Sequence, residues 1–320
     1  MKKSIKTIFG VSAVISSVLF SGIGVAQTYP DRPVTLVVPY APGVTDLEAR
    51  KLAEGLSKEL GQPFVVQNKA GAGGAIGAQF VAGSKPDGYT FLYASPAVIT
   101  ISPLTGNAQY KFEDLDPIAR TTTSPHVLAA SVNAPYKNGK DMITYAKNNP
   151  GKVVFGSSGT GTAVHLAGEA FAVGAGIKIL HVPYKGLAPA IMDALGGNVD
   201  FVIGLPVAIK PQVDGGKLNA IAQFGNERSA NLPNVPTLKE IGVDLALSVN
   251  LGMFAPAGTP KDIISKINAA VQKVLASKEY LEFAVPRKIT PAFLSAADYS
   301  AIVKAELDLY KRIVPTLKLN

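Results

Sequence analysis

"VVFGSSGTGTAVHLAG", residues 153–168, passes from the apolar run Val153-Val154-Phe155 into a turn holding three glycines and four hydroxyl side chains, then into a helical pattern. A short buried strand, a Gly-rich loop and a helix in that order form the repeating unit of an open α/β sheet. A second copy, "LVVPYAPGVTDLEAR" (36–50), has the same three parts, with Gly43 lying 118 residues before Gly161. Two like units imply two like lobes. In open α/β sheets ligands bind outside the carboxyl ends of the strands, which is where both loops fall.

Alternation continues outward from both copies. "VTLVVPY" (34–40) reads as a strand, and the following helix has Leu52, Ala53, Leu56 and Leu60 on one face, with Thr45-Asp46-Leu47-Glu48 as its capping box. Strand "PFVVQN", loop "AGAGGAIG", a helix to Ala82, turn "KPDG" and strand "YTFLYAS" come next. Residues 107–126 are polar and irregular, and we read them as the first passage between lobes, leading into "VLAASVN" (127–133). The rhythm restarts with helix 140–148, strand "KVVFGSS", helix 162–174, strand "IKILHVPY", helix 187–195, strand "VDFVIG", helix 206–213 and strand "LNAIAQF". "GNERSANLPNVPT" is read as the second passage. A short capped helix at Thr237, strand "LSVNLGMFAP", and helices opened by Thr259-Pro260 and by Ser295 remain, and they are expected to return to the first lobe. The expected division is therefore 27–124 with 227–320 as lobe 1, and 125–226 as lobe 2.

The first 26 residues follow other rules. Lys2, Lys3 and Lys6 precede an apolar stretch from Ile8 to Phe20 that ends in small residues at Gly24-Val25-Ala26. This is the pattern of a secretory signal peptide cut after Ala26, the alternative being an uncleaved anchor. Ser12, Ser16, Ser17 and Ser21 dilute the run and favour cleavage. The chain has no cysteine, so an exported fold must rest on its core rather than on disulfides. The formal charge of +8 drops by three with the leader, and the remaining charges are dispersed rather than gathered in a basic stripe. No nucleic-acid partner is expected, whereas a net positive field favours small anions.

Three chemistries compete for the 156–163 loop. Gly156 and Gly161 have P-loop spacing, but Thr162 stands where the lysine belongs; in "GAGGAIG" Ile76 stands where a dinucleotide fingerprint needs its third glycine. A serine hydrolase acting on a small ester or amide would place Ser158 on a G-x-S-x-G elbow, yet Thr160 replaces the closing glycine. His165 and Glu169 are then read as an i,i+4 pair on the helix surface. The three histidines, His126, His165 and His181, lack metal-ligand spacing, so neither metal nor cofactor is expected. An anion cradle remains. The amides of Thr160, Gly161, Thr162 and Ala163 open a helix, and the hydroxyls of Ser157, Ser158, Thr160 and Thr162 can donate to carboxylate oxygens. In the first loop the same logic offers the amides of Gly43, Val44 and Asp46, with Thr45 spent on its cap. Tyr184 and, by position alone, Ser95 and Gly204 sit at equivalent strand ends, while Tyr40, Tyr184 and Phe254 are candidate apolar walls.

Six stretches in order, "YPDRPVTLVVPYAPGVTD", "NKAGAGGAIGAQFVAGSKPDGYT", "FGSSGTGTAVHLAGEAF", "VPYKGLAPAIMDALGGNVD", "LPNVPTLKEIG" and "APAGTP", resemble the extracytoplasmic binding proteins of tripartite tricarboxylate transporters, the Bug family. The resemblance implies an α/β, two-lobed, type II-like periplasmic binding protein, each lobe a mixed, mostly parallel sheet flanked by helices. It implies a monomer that is not an enzyme, closes like a flytrap on a small carboxylate and delivers it to an integral membrane permease. It implies that the carboxylate is held between the loops 39–46 and 156–163, partly through water. Val44, where the family commonly has a second glycine, and Asn250, where it often has an aromatic, depart from the pattern.

Overall fold

The structure, a computed structural model, describes residues 29–106 and 108–316. The expected signal peptide lies outside the described residues. Eleven strands form two sheets among the described residues. The first contains β1 (Val34–Val38), β2 (Phe64–Asn68), β3 (Thr90–Ala94), β4 (Leu115–Pro125), β10 (Ser248–Pro256) and β11 (Pro291–Leu294), in the order β11-β4-β10-β3-β1-β2. The second contains β5 (Val127–Ser131), β6 (Val153–Ser157), β7 (Ile179–Pro183), β8 (Phe201–Gly204) and β9 (Leu218–Gln223), in the order β7-β6-β8-β5-β9. Both sheets are mixed: β10 and β11 run against the other four strands of the first, and β5 runs against the other four of the second.

Helices cover both faces of each sheet. Leu52 and Leu56 of α1 (Val44–Leu60) and Val271 of α8 (Lys261–Ala276) pack on Leu36, Tyr93 and Met253. On the opposite face α2 (Ala75–Ala82), α3 (Ala97–Leu104) and the first turns of α10 (Ala296–Ile313) enclose Val37, Leu92 and Phe254. In the second lobe, Phe155 and Phe201 lie under α4 (Gly139–Asn148) and α5 (Ala163–Ala175). Val202 lies under α6 (Leu187–Gly196) and α7 (Pro206–Asp214). A seven-residue helix, α9 (Lys278–Ala284), closes the α8 side. Tyr299 and Val303 of α10 belong to the first lobe's core, whereas Tyr310 and Ile313 belong to the second's. That one helix therefore spans both lobes.

Two expectations about the passages change. Residues 115–125 form the longest strand among the described residues, β4, not irregular chain. Pro117, which argues against a central strand, sits at a register shift: Phe254 pairs with Pro117 and Met253 with Ala119, so the ladder bulges there. The chain also stays with the second sheet past residue 226, where the expected division returned it to the first lobe. Gln223 is fully buried; its Nε2 donates to the carbonyls of Leu232 and Val235, and its Oε1 accepts from the Ser229 amide. Leu238, Ile241, Val243 and Leu247 then join the second lobe's core, so the chain rejoins the first sheet at Ser248. Polar, Pro-rich composition reads as linker, but one buried amide satisfying three backbone groups folds the segment back.

The crossing fixes which edges meet. β4 runs parallel to β1 and ends at Pro125; after His126, Val127 opens β5 opposite Gly204, the carboxyl end of β8. On the return, Ser248 pairs with Pro125. Both links therefore join the carboxyl edge of one sheet to the carboxyl edge of the other.

Candidate functional site

Each carboxyl edge carries one of the quoted loops. After β1, the chain turns through 39–43 and α1 begins at Val44, with Gly43 as its N-cap and no side-chain cap. The expected Thr45–Glu48 capping box does not form. Glu48 instead faces the core, accepting hydrogen bonds from Thr122 Oγ1 (2.9 Å) and Tyr93 Oη (3.5 Å). The amides of Val44, Thr45 and Asp46 are left without intrahelical acceptors. Asp46 Oδ2 accepts from Arg50 Nε at 2.9 Å, which holds its carboxyl below the ordinary range, while its buried Oδ1 has no partner. Val44 is 63% exposed at this helix start.

A neighbouring loop supports the first. The "GAGG" turn has Gly71, Gly73 and Gly74 at positive φ, as an L-side chain rarely allows. Gly77 then lets α2 approach closely, since a Cβ there would come within 2.7 Å of Pro39 Cβ. Tyr40 reaches Ser95 Oγ at 3.5 Å, and Asn68 Nδ2 donates to the Tyr40 carbonyl at 3.0 Å. Tyr40 and Ser95 are thus brought together beside the α1 N-terminus.

In the second lobe Thr162 is the N-cap of α5. Its Oγ1 accepts from the His165 amide (3.3 Å) and Ser158 Oγ (3.1 Å), and donates to the Gly159 carbonyl (2.8 Å). Two of the four amides read as free are engaged: Gly161 donates to His165 Nδ1 at 3.0 Å, and Thr162 to the Gly159 carbonyl at 3.3 Å. Among the described residues, the amides of Thr160, Ala163 and Val164 have no protein acceptor. Ser157 is fully buried, with Oγ 2.6 Å from His181 Nε2. Tyr184 packs its ring beside Gly156 and donates to Asp193 Oδ2 at 2.5 Å; burial and that carboxylate push its hydroxyl up to about 12.

Several readings need revision. His165 is 4% exposed, not a surface residue, although its Nε2 does lie 3.7 Å from Glu169 Oε1. Ser158 pairs with Thr162 rather than with a histidine, so the base a hydrolase requires is not on it. Phe254 is fully buried against Tyr299 and is no cleft wall. Gly204 is a packing position: a Cβ would meet Leu187 at 2.8 Å. Asn250 braces the crossing, accepting from Thr123 Oγ1 at 2.9 Å and donating to the Ser248 carbonyl at 3.1 Å. A separate cavity of 620 Å³ lies there, lined by Arg120, Thr123, Ser229, Asn250 and Glu306, and shares no residue with either loop. Among the described residues no cluster of His, Asp and Glu has the makings of a metal site.

Two α/β lobes joined at their carboxyl edges, with a helix N-terminus on each, define a solute-binding receptor fold. The comparisons agree. The profile of the tripartite tricarboxylate transporter family receptor matches residues 48–319, and the chain belongs to that family. A "UPF0065 protein in gbd 5'region" of Cupriavidus necator is 36% identical over 92% of this chain and 90% of its own. The structure of a TctC solute-binding protein from Polaromonas superposes with a TM-score of 0.83 at 30% identity, covering 91% of this chain and 100% of that one. An R. palustris protein with adipate superposes with a TM-score of 0.71 at 32% identity, covering 90% and 98%.

Proposed function

We propose that this receptor captures a small carboxylate between the 39–46 and 157–164 turns and, after export by the 1–26 signal peptide, delivers it in the periplasm to the integral membrane permease of a tripartite tricarboxylate transporter. The observation that carries the reading is the pair of helix N-termini, Val44–Asp46 and Ala163–Val164, on the two edges that share the crossing. Donors held by the fold lose little freedom when an anion arrives, and the dipoles of both helices favour negative charge. Tyr40 and Ser95 from lobe 1, and Ser158, Thr160 and Tyr184 from lobe 2, supply the polar and apolar surround. Lobe 1 is residues 29–124 with 248–316, whose helix α10 ends against lobe 2, and lobe 2 is the residues between; the lobes close on the ligand as a monomer.

Single dipole contacts contribute only ~0.3–1 kcal/mol at exposed sites, so enclosure and hydrogen bonds must provide most of the closing free energy. The adipate in the R. palustris relative supports a dicarboxylate as ligand. The test removes one donor at a time without harming the helix. Val44 and Ala163 are the first residues of their helices, where proline is well tolerated but has no N–H. Titrating acetate, succinate, malate, adipate and benzoate by calorimetry should find at least one ligand for the wild type. Ala163→Pro and Val44→Pro should each weaken it by roughly tenfold or more, the loss of one hydrogen bond to a charged group. Ligand affinity unchanged in both variants, or no carboxylate bound at all, would remove this assignment.

A further inference from the structure

The hydrogen bonds beneath the second loop point to a device that the anion reading does not by itself require. Thr160, whose amide is free, is flanked by Gly159 (φ 128°) and Gly161 (φ 75°). Two glycines in the left-handed region make a swivel, since neither has a Cβ to restrict rotation. On one side of the swivel the Gly159 amide donates to Ser157 Oγ (3.1 Å), and that oxygen lies 2.6 Å from His181 Nε2. On the other side the Gly161 amide donates to His165 Nδ1 at 3.0 Å. The two rings stack on each other, with centroids 3.8 Å apart and planes 17° from parallel. We propose that His165 and His181 are positioning residues that lock the Gly159–Gly161 swivel and so hold the Thr160 amide in place for the carboxylate; the proposal rests on the anion-binding reading above.

The chemistry fixes the protonation state. Nδ1 of His165 can accept the Gly161 N–H only if it is bare, so the ring's single proton sits on Nε2, toward Glu169. The titratable groups facing the His165 ring are His181 from β7 and Glu169 from its own helix. Burial and the adjoining His165 ring hold His181 down to about 4, against the opposing pull of Glu169.

The experiment uses the full mature protein and, as probe, whichever of acetate, succinate, malate, adipate or benzoate binds the wild type most tightly. His165→Phe keeps a flat ring but removes the acceptor, and its affinity should fall about tenfold. His165→Asn places Oδ1 where Nδ1 was and should return to within about threefold of the wild type. His181→Phe keeps a ring for the stack but removes the nitrogen 2.6 Å from Ser157 Oγ, so its affinity should also fall, whereas Glu169→Gln should stay within about threefold of the wild type. His165→Phe binding like the wild type, or His165→Asn losing as much affinity as His165→Phe, overturns the proposal while leaving the anion site standing. If His165→Phe does not fold, His181→Phe decides, and affinity equal to that of the wild type overturns the proposal. A wild type that binds none of the five acids overturns the underlying reading, and this inference with it.

Discussion

Thr122 Oγ1 donates a 2.9 Å hydrogen bond to Glu48 Oε2, tying the helix that begins at the ligand edge to the strand that becomes the interlobe crossing. Glu48 is only 4% exposed, and the hydrogen bonds from Thr122 and Tyr93 only partly offset its burial, so its carboxyl is pushed up to about 7. A raised carboxyl binds more protons in the folded state than in the unfolded chain. Stability from this group is therefore lost as pH rises from about 4.5 to about 7 and is level above that. Glu48→Gln should flatten this part of the profile. Chemical denaturation of both proteins at pH 4.5, 6 and 8 checks it; a stability difference that does not change with pH would count against the assignment.

His126 works in the opposite direction. It is buried at the crossing, hydrogen-bonded with the Leu247 backbone, edge-on to Phe224, and has Nδ1 unpartnered; burial holds it down to about 4. The unfolded chain takes up a proton near 6.5 that the folded protein refuses, so stability is lost as pH falls from about 6.5 to about 4. His126→Phe should reduce that acid loss, measured as the difference between variant and wild-type midpoints across the window. Because Glu48 slopes the other way over part of the same range, only such differences are informative.

Thr162 joins cap and loop. Its Oγ1 serves the His165 amide, Ser158 Oγ and the Gly159 carbonyl at once. Thr162→Ala should cost ~1 kcal/mol of stability as a lost N-cap, and carboxylate binding should weaken with it. Thr162→Ser, which keeps the oxygen, should restore both quantities; urea midpoints and calorimetry on the three proteins measure them.

Gly168 lies where α5 crosses the Phe155 ring so closely that a methyl group would collide with it. Gly168→Ala should destabilise by ~1–3 kcal/mol through overpacking. The same change would displace the helix that carries the loop, so ligand affinity should fall in parallel with stability. A variant as stable as the wild type would show that Phe155 can move aside.

Much of the architecture was legible from pattern alone. The helices at 140–148, 162–174 and 187–195 appear as α4, α5 and α6 within a residue or two, because apolar periodicity and glycine stops are local signals. The elements that escaped notice are those whose reasons are remote. β4 carries Pro117 and a run of threonines, and it is a strand because Thr121 and Thr122 find Tyr93, Glu48 and the Leu251 carbonyl across the fold. α9 and β11 are short and carry little periodicity.

At the site the division is similar. The hydroxyl-rich turn, its helix and the threonine cap were visible as a local composition. Which amides stay free was not, since that depends on a histidine one helical turn ahead and another on β7, brought to 3.8 Å only by the packed sheet. Glu48 shows the limit most sharply: it has the spacing of a capping box, yet desolvated partners on β3 and β4 took the carboxylate instead.

Sequence alone determined two strand–loop–helix units, their glycine turns and their helix starts, because each depends on residues within one turn or one strand. Tertiary structure alone decided that both loops lie on edges joined by the same crossing, that residues 225–247 stay with the second lobe, and that two histidines brace one turn. Those outcomes depend on which buried polar groups find partners, and such partners are chosen among chain segments far apart in order and adjacent only in the folded core.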